Sequence, residues 1–352
     1  HQASSASLVT VLTSLYFNYL DSEDRISIKP HASPVFHSIQ YLLGNLEESY
    51  LRTLREAGGL QSYPSRTKDP DTVDFSTGSV GLGAVAPLFA AVARQYVDSH
   101  FGPRPKSRFI SVIGDAELDE GNIWEALADP ATANLGNVMW VVDFNRQSLD
   151  RIIPGVRIAQ WRAQFEAAGW HVKEVKYGSK LKKVFEDSGS KTFKVWFDEI
   201  PNEQYQSLFG LTAQEARIRF LEGSPDGVSQ FLEKYKDEQL FEILTDLGGH
   251  DISSLLEAFN DCDEVEDKSS VVFAYTIKGW HLPIAGDKRN HSAQISKKQI
   301  DELRNSVGLS EVNEWSKFEP GSAEDALCVS RGESLKRVPN RAEISAEFPH
   351  AT

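Results

Sequence analysis

The sequence has few of the features that mark membrane, fibrous or disulfide-rich proteins. Among its 352 residues only Cys262 and Cys328 are cysteine, too few for a disulfide framework and in keeping with a reducing cytosol. The longest apolar stretch, Leu82 to Ala93, contains a glycine and a proline. It falls short of the roughly 20 residues that a membrane-spanning helix needs. We therefore expect neither a membrane span nor a secretory leader. We expect a cytoplasmic location.

Positive charge is also in deficit. The chain has 37 Lys and Arg against 51 Asp and Glu, a net charge of −14, which opposes binding to nucleic acid or anionic lipid. With 40% apolar and 10% aromatic residues, the composition is that of an ordinary globular protein with a real core. The chain begins at His1 and enters a helical pattern almost at once. We interpret it as a piece of a longer protein or one half of a split enzyme.

Apolar strand patterns alternate with helical patterns along the chain. Strands are predicted at 25–29, 109–113, 138–142, 171–176 and 270–275. Helices are predicted at 3–20, 34–43, 46–56, 84–97, 120–128, 156–168 and 296–306. Strand followed by helix, repeated, predicts an α/β fold in which helices flank a parallel sheet.

Three further segments stand apart from this alternation. Residues 58–83 predict a loop long enough to be functional. Residues 179–268 predict a polar helical insert, and 318–352 an irregular linker. The predicted organisation is one α/β domain at 1–317 followed by that linker.

Polar residues follow two of the predicted strands. Gly114 and Asp115 directly follow the strand at 109–113, and Asn145 follows the strand at 138–142. The carboxyl ends of parallel strands share one edge of the sheet, so Asp115 and Asn145 can face one site. A carboxylate and an amide oxygen suit Mg²⁺, which takes its other ligands from phosphate and water. A helix starting after Glu120 could also turn its N-terminus towards phosphate. The implied ligand is a diphosphate bound through a metal, although a Gly-Asp pair after a strand often serves only a turn.

Motif-like segments are spread along nearly the whole chain. They are HQASSAS at 1–7, KPHASPVFHSIQYLLGNL at 29–46, SYPSR at 62–66, STGSVGLG at 76–83, GDAELDEGNIWEAL at 114–127, NRQSLD at 145–150, GGHDISSLLEAF at 248–259 and AYTIKGW at 274–280. In residues and order they resemble the transketolase superfamily of thiamine diphosphate enzymes. The resemblance is strongest to the first, decarboxylating component of homodimeric pyruvate dehydrogenases.

The resemblance implies a role for each matching residue. It implies Mg²⁺ ligands at Asp115, Asn145 and the main-chain carbonyl of Gln147. It implies contacts to thiamine diphosphate from Ser4, Val80, Gly114, Ala116, Glu117, Leu149 and Lys278, with Ala116 and Glu117 offering N–H groups to the diphosphate and Val80 and Leu149 packing on the rings. It implies catalytic roles in the reaction pocket for His1, His31 and His291, with Ser4 beside them.

Two positions depart from the family pattern. Ala116 stands where glycine is usual, which requires a negative φ at that residue; we expect one. His291, on a loop at 282–294, stands earlier than the family's histidine. Simpler interpretations also remain: His1 as an exposed terminus, His31 as a helix cap, and Gly81 and Gly83 as relief of crowding at a helix start.

The activity implied is oxidative decarboxylation of a 2-oxo acid, with pyruvate as the first choice, and acyl transfer to a lipoyl group on an acyltransferase component. The family also needs a pyrimidine-binding domain, expected on the remainder of the chain or on a second chain, in a homodimer or heterotetramer. The alternatives are a transketolase-type transfer from a ketose and a non-catalytic subunit. SYPSR and GGHDISSLLEAF favour the dehydrogenase, and competent residues at Asp115 and Asn145 disfavour a non-catalytic role.

Overall fold

A five-stranded parallel sheet organises the molecule, as the sequence predicts. The structure is a computed structural model that describes residues 2–148, 151–153 and 157–336. The strands are β1 (Arg25–Ser27), β2 (Phe109–Gly114), β3 (Val138–Phe144), β4 (Gln147–Ser148), β5 (Arg151–Ile152), β6 (His171–Val175) and β7 (Ser270–Tyr275). The sheet has the order β1-β2-β3-β7-β6, and β4 and β5 form a separate antiparallel pair directly after β3.

The three central strands are fully buried and end at the same level. Every residue of β2, β3 and β7 is buried, which is typical of a parallel sheet covered on both faces. Gly114 at the end of β2 pairs with Asp143 on β3, and Asp143 pairs with Ala274 on β7. The segments that follow these strands therefore start side by side.

Helices cover both faces of the sheet. They are α1 (Gln2–Ala6), α2 (Val9–Ser14), α3 (Ser33–Leu42), α4 (Glu48–Leu51), α5 (Leu82–Phe101), α6 (Gly121–Ala128), α7 (Ile158–Ala167), α8 (Ser179–Phe185), α9 (Lys191–Glu199), α10 (Asn202–Ser207), α11 (Ala213–Leu221), α12 (Asp226–Leu232), α13 (Asp237–Leu244), α14 (Ile252–Asp263), α15 (Lys297–Ser306) and α16 (Ala323–Ser334). Helices α2, α3 and α14 pack on the face that presents Val141, and α5, α6 and α7 pack on the face that presents Trp140. This alternation along β3 is the period-two pattern of a strand.

The predicted helical insert is present and has a core of its own. Its helices α8–α13 bury aromatic side chains together, among them Phe193, Phe197 and Phe220. This core continues to the sheet through Phe144 and Tyr275, whose ring centroids lie 4.7 Å apart. The insert is thus joined to the sheet at the end where β3 and β7 finish.

Some predicted elements differ in the structure. The helix expected at 3–20 is divided into α1, α2 and a π-helical turn at Leu15–Tyr19, and the helix expected at 46–56 shrinks to the single turn α4. The sequence predicts an irregular linker at 318–352. This prediction is wrong for Ala323–Ser334, which form helix α16. Ser322 caps that helix, and Arg331 donates hydrogen bonds to the carbonyls of Tyr16 and Leu20. Docking against the core therefore orders it.

No helix among the described residues is both long enough and apolar enough to cross a membrane.

Candidate active site

Four chain segments meet at the carboxyl edge of the sheet. They follow β1, β2, β3 and β7, and they bring Lys29, Asp115, Asn145 and Thr276 together. The Oδ2 atom of Asp115 accepts a hydrogen bond from the main-chain N–H of Arg146 at 2.7 Å. The carboxylate after β2 and the turn after β3 are therefore adjacent, as parallel topology requires.

Asp143 is the centre of this edge. It has no exposed surface, and its Oδ2 atom accepts hydrogen bonds from Lys29 Nζ at 2.6 Å, Ser7 Oγ at 2.7 Å and Asn145 Nδ2 at 3.2 Å. Its Oδ1 atom accepts one from Thr276 Oγ1. A buried carboxylate is tolerated only with such partners. Asp143 thus joins β3 to the segments that follow α1, β1 and β7.

Glycine at position 114 allows Lys29 to reach Asp143. Lys29 follows β1 and Asp143 lies on β3, so the lysine side chain must cross the end of β2. A methyl group on Gly114 would lie 3.0 Å from Lys29 Cε and 3.1 Å from its Nζ. The absence of a side chain at Gly114 therefore opens the path of the ion pair.

Both members of the pair are charged. Burial disfavours the ammonium form of Lys29, but Asp143, Asp115 and Glu117 outweigh burial and raise the pKa of Lys29 above its ordinary value. Burial also disfavours the Asp143 carboxylate, but Lys29 and the hydrogen bonds lower the pKa of Asp143 below its ordinary value. The two directions agree, and the pair is ionic.

Asp115 and Glu117 place two more buried carboxyl groups beside this pair. Burial raises the pKa of Asp115 to about 7, against the opposing effect of Lys29 and two backbone N–H groups. Burial likewise raises the pKa of Glu117, although Gly114 N–H donates to its Oε1 at 3.0 Å. Its Oε2 is also buried. The site therefore favours a bound cation.

A second cluster lies around His31. Its ring lies 5.3 Å from that of His291 in an edge-on arrangement, and its Nε2 lies 3.4 Å from the hydroxyl of Tyr63. Burial, followed by the charge of Lys29, lowers the pKa of His31 to about 3. The ring is neutral at pH 7. Helix α3 begins at Ser33, and its N-cap residue Ala32 makes no side-chain cap hydrogen bond.

Comparison with known proteins shows which family part of the chain matches. Residues 17–189 match the family model described as transketolase, thiamine diphosphate binding domain. The chain is 28% identical over 311 residues to the pyruvate dehydrogenase E1 component of Escherichia coli (strain K12), covering 86% of this chain and 35% of that protein. It is 27% identical over 289 residues to the same component of Corynebacterium glutamicum, covering 80% and 31%.

Solved structures agree on the fold. A transketolase from Pichia stipitis aligns with a TM-score of 0.63 at 19% identity, covering 94% of this chain and 40% of that one. A transketolase from Leishmania mexicana aligns with a TM-score of 0.61 at 16% identity, covering 95% and 44%. Residues 17–189 thus match transketolase-type thiamine diphosphate-binding domains, and the chain shares the fold of the solved transketolases. It spans about a third of the length of the curated relatives it matches.

The residues present at the expected metal-binding positions fit a Mg²⁺ ion. Asp115 offers a buried carboxylate, and Asn145 offers an amide oxygen that accepts the Gln147 N–H at 3.1 Å. No group of three His, Cys, Asp or Glu side chains suited to a metal occurs in the described ranges. A set of one carboxylate, one amide and one carbonyl is instead typical of Mg²⁺.

The other expected contacts are placed as follows. Ala116 lies in a 3₁₀ turn without a positive φ, as predicted, but its N–H donates to Asp115 Oδ1 at 2.9 Å. A diphosphate would have to replace that bond. Val80 is 51% exposed at the edge of the long loop, whereas Lys278 and Ser4 are buried. His1 and Leu149 lie outside the described residues.

Several residues of the site escaped the sequence analysis. Asp143 is a carboxylate inside an otherwise apolar strand, and that pattern predicts a buried counter-charge. Lys29 and Tyr63 carried no such signal, because their partners follow other strands or loops. The Glu117 side chain was also missed, although its partner Gly114 is only three residues away.

Removing Lys29 should expose the cost of the buried Asp143 charge. We expect Lys29→Met to lower the free energy of unfolding by about 3–5 kcal/mol at pH 7. The double variant Lys29→Met with Asp143→Asn should lose less free energy of unfolding, because no charge is left unpaired. Lys180→Met, which breaks an exposed pair with Glu242, should change stability little. Denaturant titration measures all three; a double variant as unstable as Lys29→Met would contradict the ion-pair assignment.

His250 should make the domain sensitive to acid. Burial lowers its pKa to about 3, and its Nε2 accepts the Ile277 N–H at 2.8 Å. The unfolded value is about 6.5, so the unfolded state binds a proton first as pH falls. Stability should decline from about pH 6.5 towards about pH 3, by up to about 1.4 kcal/mol per pH unit from this group. His250→Gln should flatten the decline in denaturant titrations; an unchanged slope would contradict a neutral His250.

Proposed function

We propose that this domain binds thiamine diphosphate through Mg²⁺ and forms the diphosphate-binding half of a 2-oxo acid dehydrogenase that acts on pyruvate. The observation that carries the proposal is the similarity to pyruvate dehydrogenase E1 components over 86% of the chain. It is supported by the contact that brings Asp115 against the Asn145 turn. The motifs SYPSR and GGHDISSLLEAF favour this activity over a transketolase-type transfer.

The residues at the sheet edge have distinct roles in this proposal. Asp115, Asn145 and the carbonyl of Gln147 would hold Mg²⁺, and Lys278 would lie near the phosphates. The bound cofactor supplies the electron sink that lets carbon dioxide leave a 2-oxo acid. The Lys29–Asp143 pair does not act on the substrate, because its charges are already satisfied within the fold.

His31 and His291 are proposed to line the substrate side of the site. His31 is neutral and half-buried, so it can donate or accept one hydrogen bond as charge develops on a substrate oxygen. Its edge-on contact with His291 supports a place for the 282–294 loop beside the pocket, even though His291 stands earlier than the family's histidine.

The remaining parts of the active site are proposed to lie on the remainder of the chain or on a second chain. Because the chain spans about a third of its relatives, we propose that a pyrimidine-binding domain supplies the carboxylate that activates the cofactor. A homodimer or heterotetramer and a lipoyl-bearing acyltransferase would complete the system. Val80 is exposed near the site and is a proposed contact for that domain.

Asp115→Asn should weaken cofactor binding in a magnesium-dependent way. The amide would remove the only proposed protein ligand that carries charge, and we expect about 10-fold or more loss of thiamine diphosphate affinity at fixed Mg²⁺. Isothermal titration calorimetry measures it, with circular dichroism as the check on folding. The control is Asp119→Asn, an exposed carboxylate paired with Arg157. Unchanged affinity in Asp115→Asn would remove the metal assignment.

A substrate panel tests the activity. The protein, assembled with its pyrimidine-binding domain, should release carbon dioxide from pyruvate, and more slowly from 2-oxobutyrate, in the presence of an artificial electron acceptor. Two-carbon transfer from xylulose 5-phosphate with no pyruvate turnover would favour the transketolase alternative. Cofactor binding without either reaction would favour a non-catalytic subunit.

A further inference from the structure

Helix α10 of the helical insert reaches the turn that carries the metal ligands. Gln206, at its C-terminal end, has no exposed surface. Its Nε2 donates to the main-chain carbonyl of Asn145 at 3.1 Å, and its Oε1 accepts from Gln147 Nε2 at 2.9 Å. One side chain therefore connects two of the three residues that would hold Mg²⁺.

Asn202, one turn earlier on α10, binds Arg146, the residue between Asn145 and Gln147. Its Nδ2 donates to the carbonyls of Arg146 at 3.2 Å and Ile153 at 2.9 Å. Its Oδ1 also lies 3.4 Å from Gln206 Nε2. Asn202 and Gln206 thus bind every residue of the turn 145–147.

The turn needs this support because its backbone is unusual. Arg146 has a φ of 64°, in the left-handed region that residues other than glycine rarely adopt. Its N–H is the one that donates to Asp115. A shift at Arg146 would therefore move the carboxylate and the amide ligand relative to each other.

Helix α10 is itself held by the core of the insert. The hydroxyl of Tyr205 donates to the carbonyl of Leu244 at 2.7 Å, and the Arg146 guanidinium lies 4.9 Å from the centre of the Tyr205 ring. The insert is therefore connected to the turn 145–147 through helix α10.

We propose that Gln206 and Asn202 are positioning residues, through which the helical insert sets the affinity of the metal and diphosphate site. The inference rests on the proposed function, since it takes Asn145 and Gln147 as metal ligands. Residues that orient metal ligands commonly change metal affinity by about 10- to 100-fold when they are replaced.

Helix α10 also offers a matched control. Gln204 is buried on the same helix, but its Nε2 donates to the carbonyls of Arg219 and Glu222, both within the insert. Gln204→Met and Gln206→Met remove the same amide from the same helix. Only Gln206→Met removes a contact to the metal turn.

The test measures Mn²⁺ binding by electron paramagnetic resonance, with saturating thiamine diphosphate, on the full chain with its pyrimidine-binding domain. Gln206→Met should weaken Mn²⁺ binding about 10- to 100-fold. Gln204→Met should leave the Mn²⁺ affinity within about twofold of the unaltered protein. It should lower Tm by about as much as Gln206→Met does. If Gln206→Met does not fold, Asn202→Leu replaces it and should show the same loss.

Two results would overturn the inference. Native Mn²⁺ affinity in Gln206→Met or Asn202→Leu would show that the turn holds itself, and equal losses in the Gln204 and Gln206 variants would show a general effect of insert stability. If the proposed function is wrong, the unaltered protein will bind no Mn²⁺ in a thiamine diphosphate-dependent way. The inference would then fail together with the proposed function.

Discussion

The charge of Asp143 is the constraint around which the edge of this sheet is built. The carboxylate lies on the central strand with no exposed surface, and water cannot stabilise it. Lys29 crosses the end of β2 to pair with it, and Ser7 and Thr276 complete its hydrogen bonds. The segments after α1, β1 and β7 are therefore fixed relative to β3 by a single side chain.

This arrangement also determines what the neighbouring carboxylates require. Because Lys29 is bonded to Asp143, its charge compensates Asp115 and Glu117 only partly, and burial raises the pKa of both acids. A divalent cation and an anionic cofactor would balance such a site without any change of fold. The structural ion pair and the proposed ligand site thus lie side by side and use separate charged groups.

The sequence predicted much of the fold and the edge on which the site lies, because both follow from local patterns. Alternating apolar runs and helical periodicity predict a parallel sheet, and a parallel sheet places the residues after β2 and β3 together. Short or marginal helices were predicted less well. Helix α16 is ordered by contacts from Arg331 to Tyr16 and Leu20, which no local pattern reveals.

By itself, the sequence determined the α/β alternation, the positions of Asp115 and Asn145 at strand ends, and the family resemblance of the motifs. Only the tertiary structure decided the partners of those residues. Lys29 and Asp143 are 114 positions apart, and Gln206 lies 61 positions from Asn145. Contacts over such separations depend on how whole elements pack, since side-chain patterns within one strand or helix contain no information about which distant residue will face them.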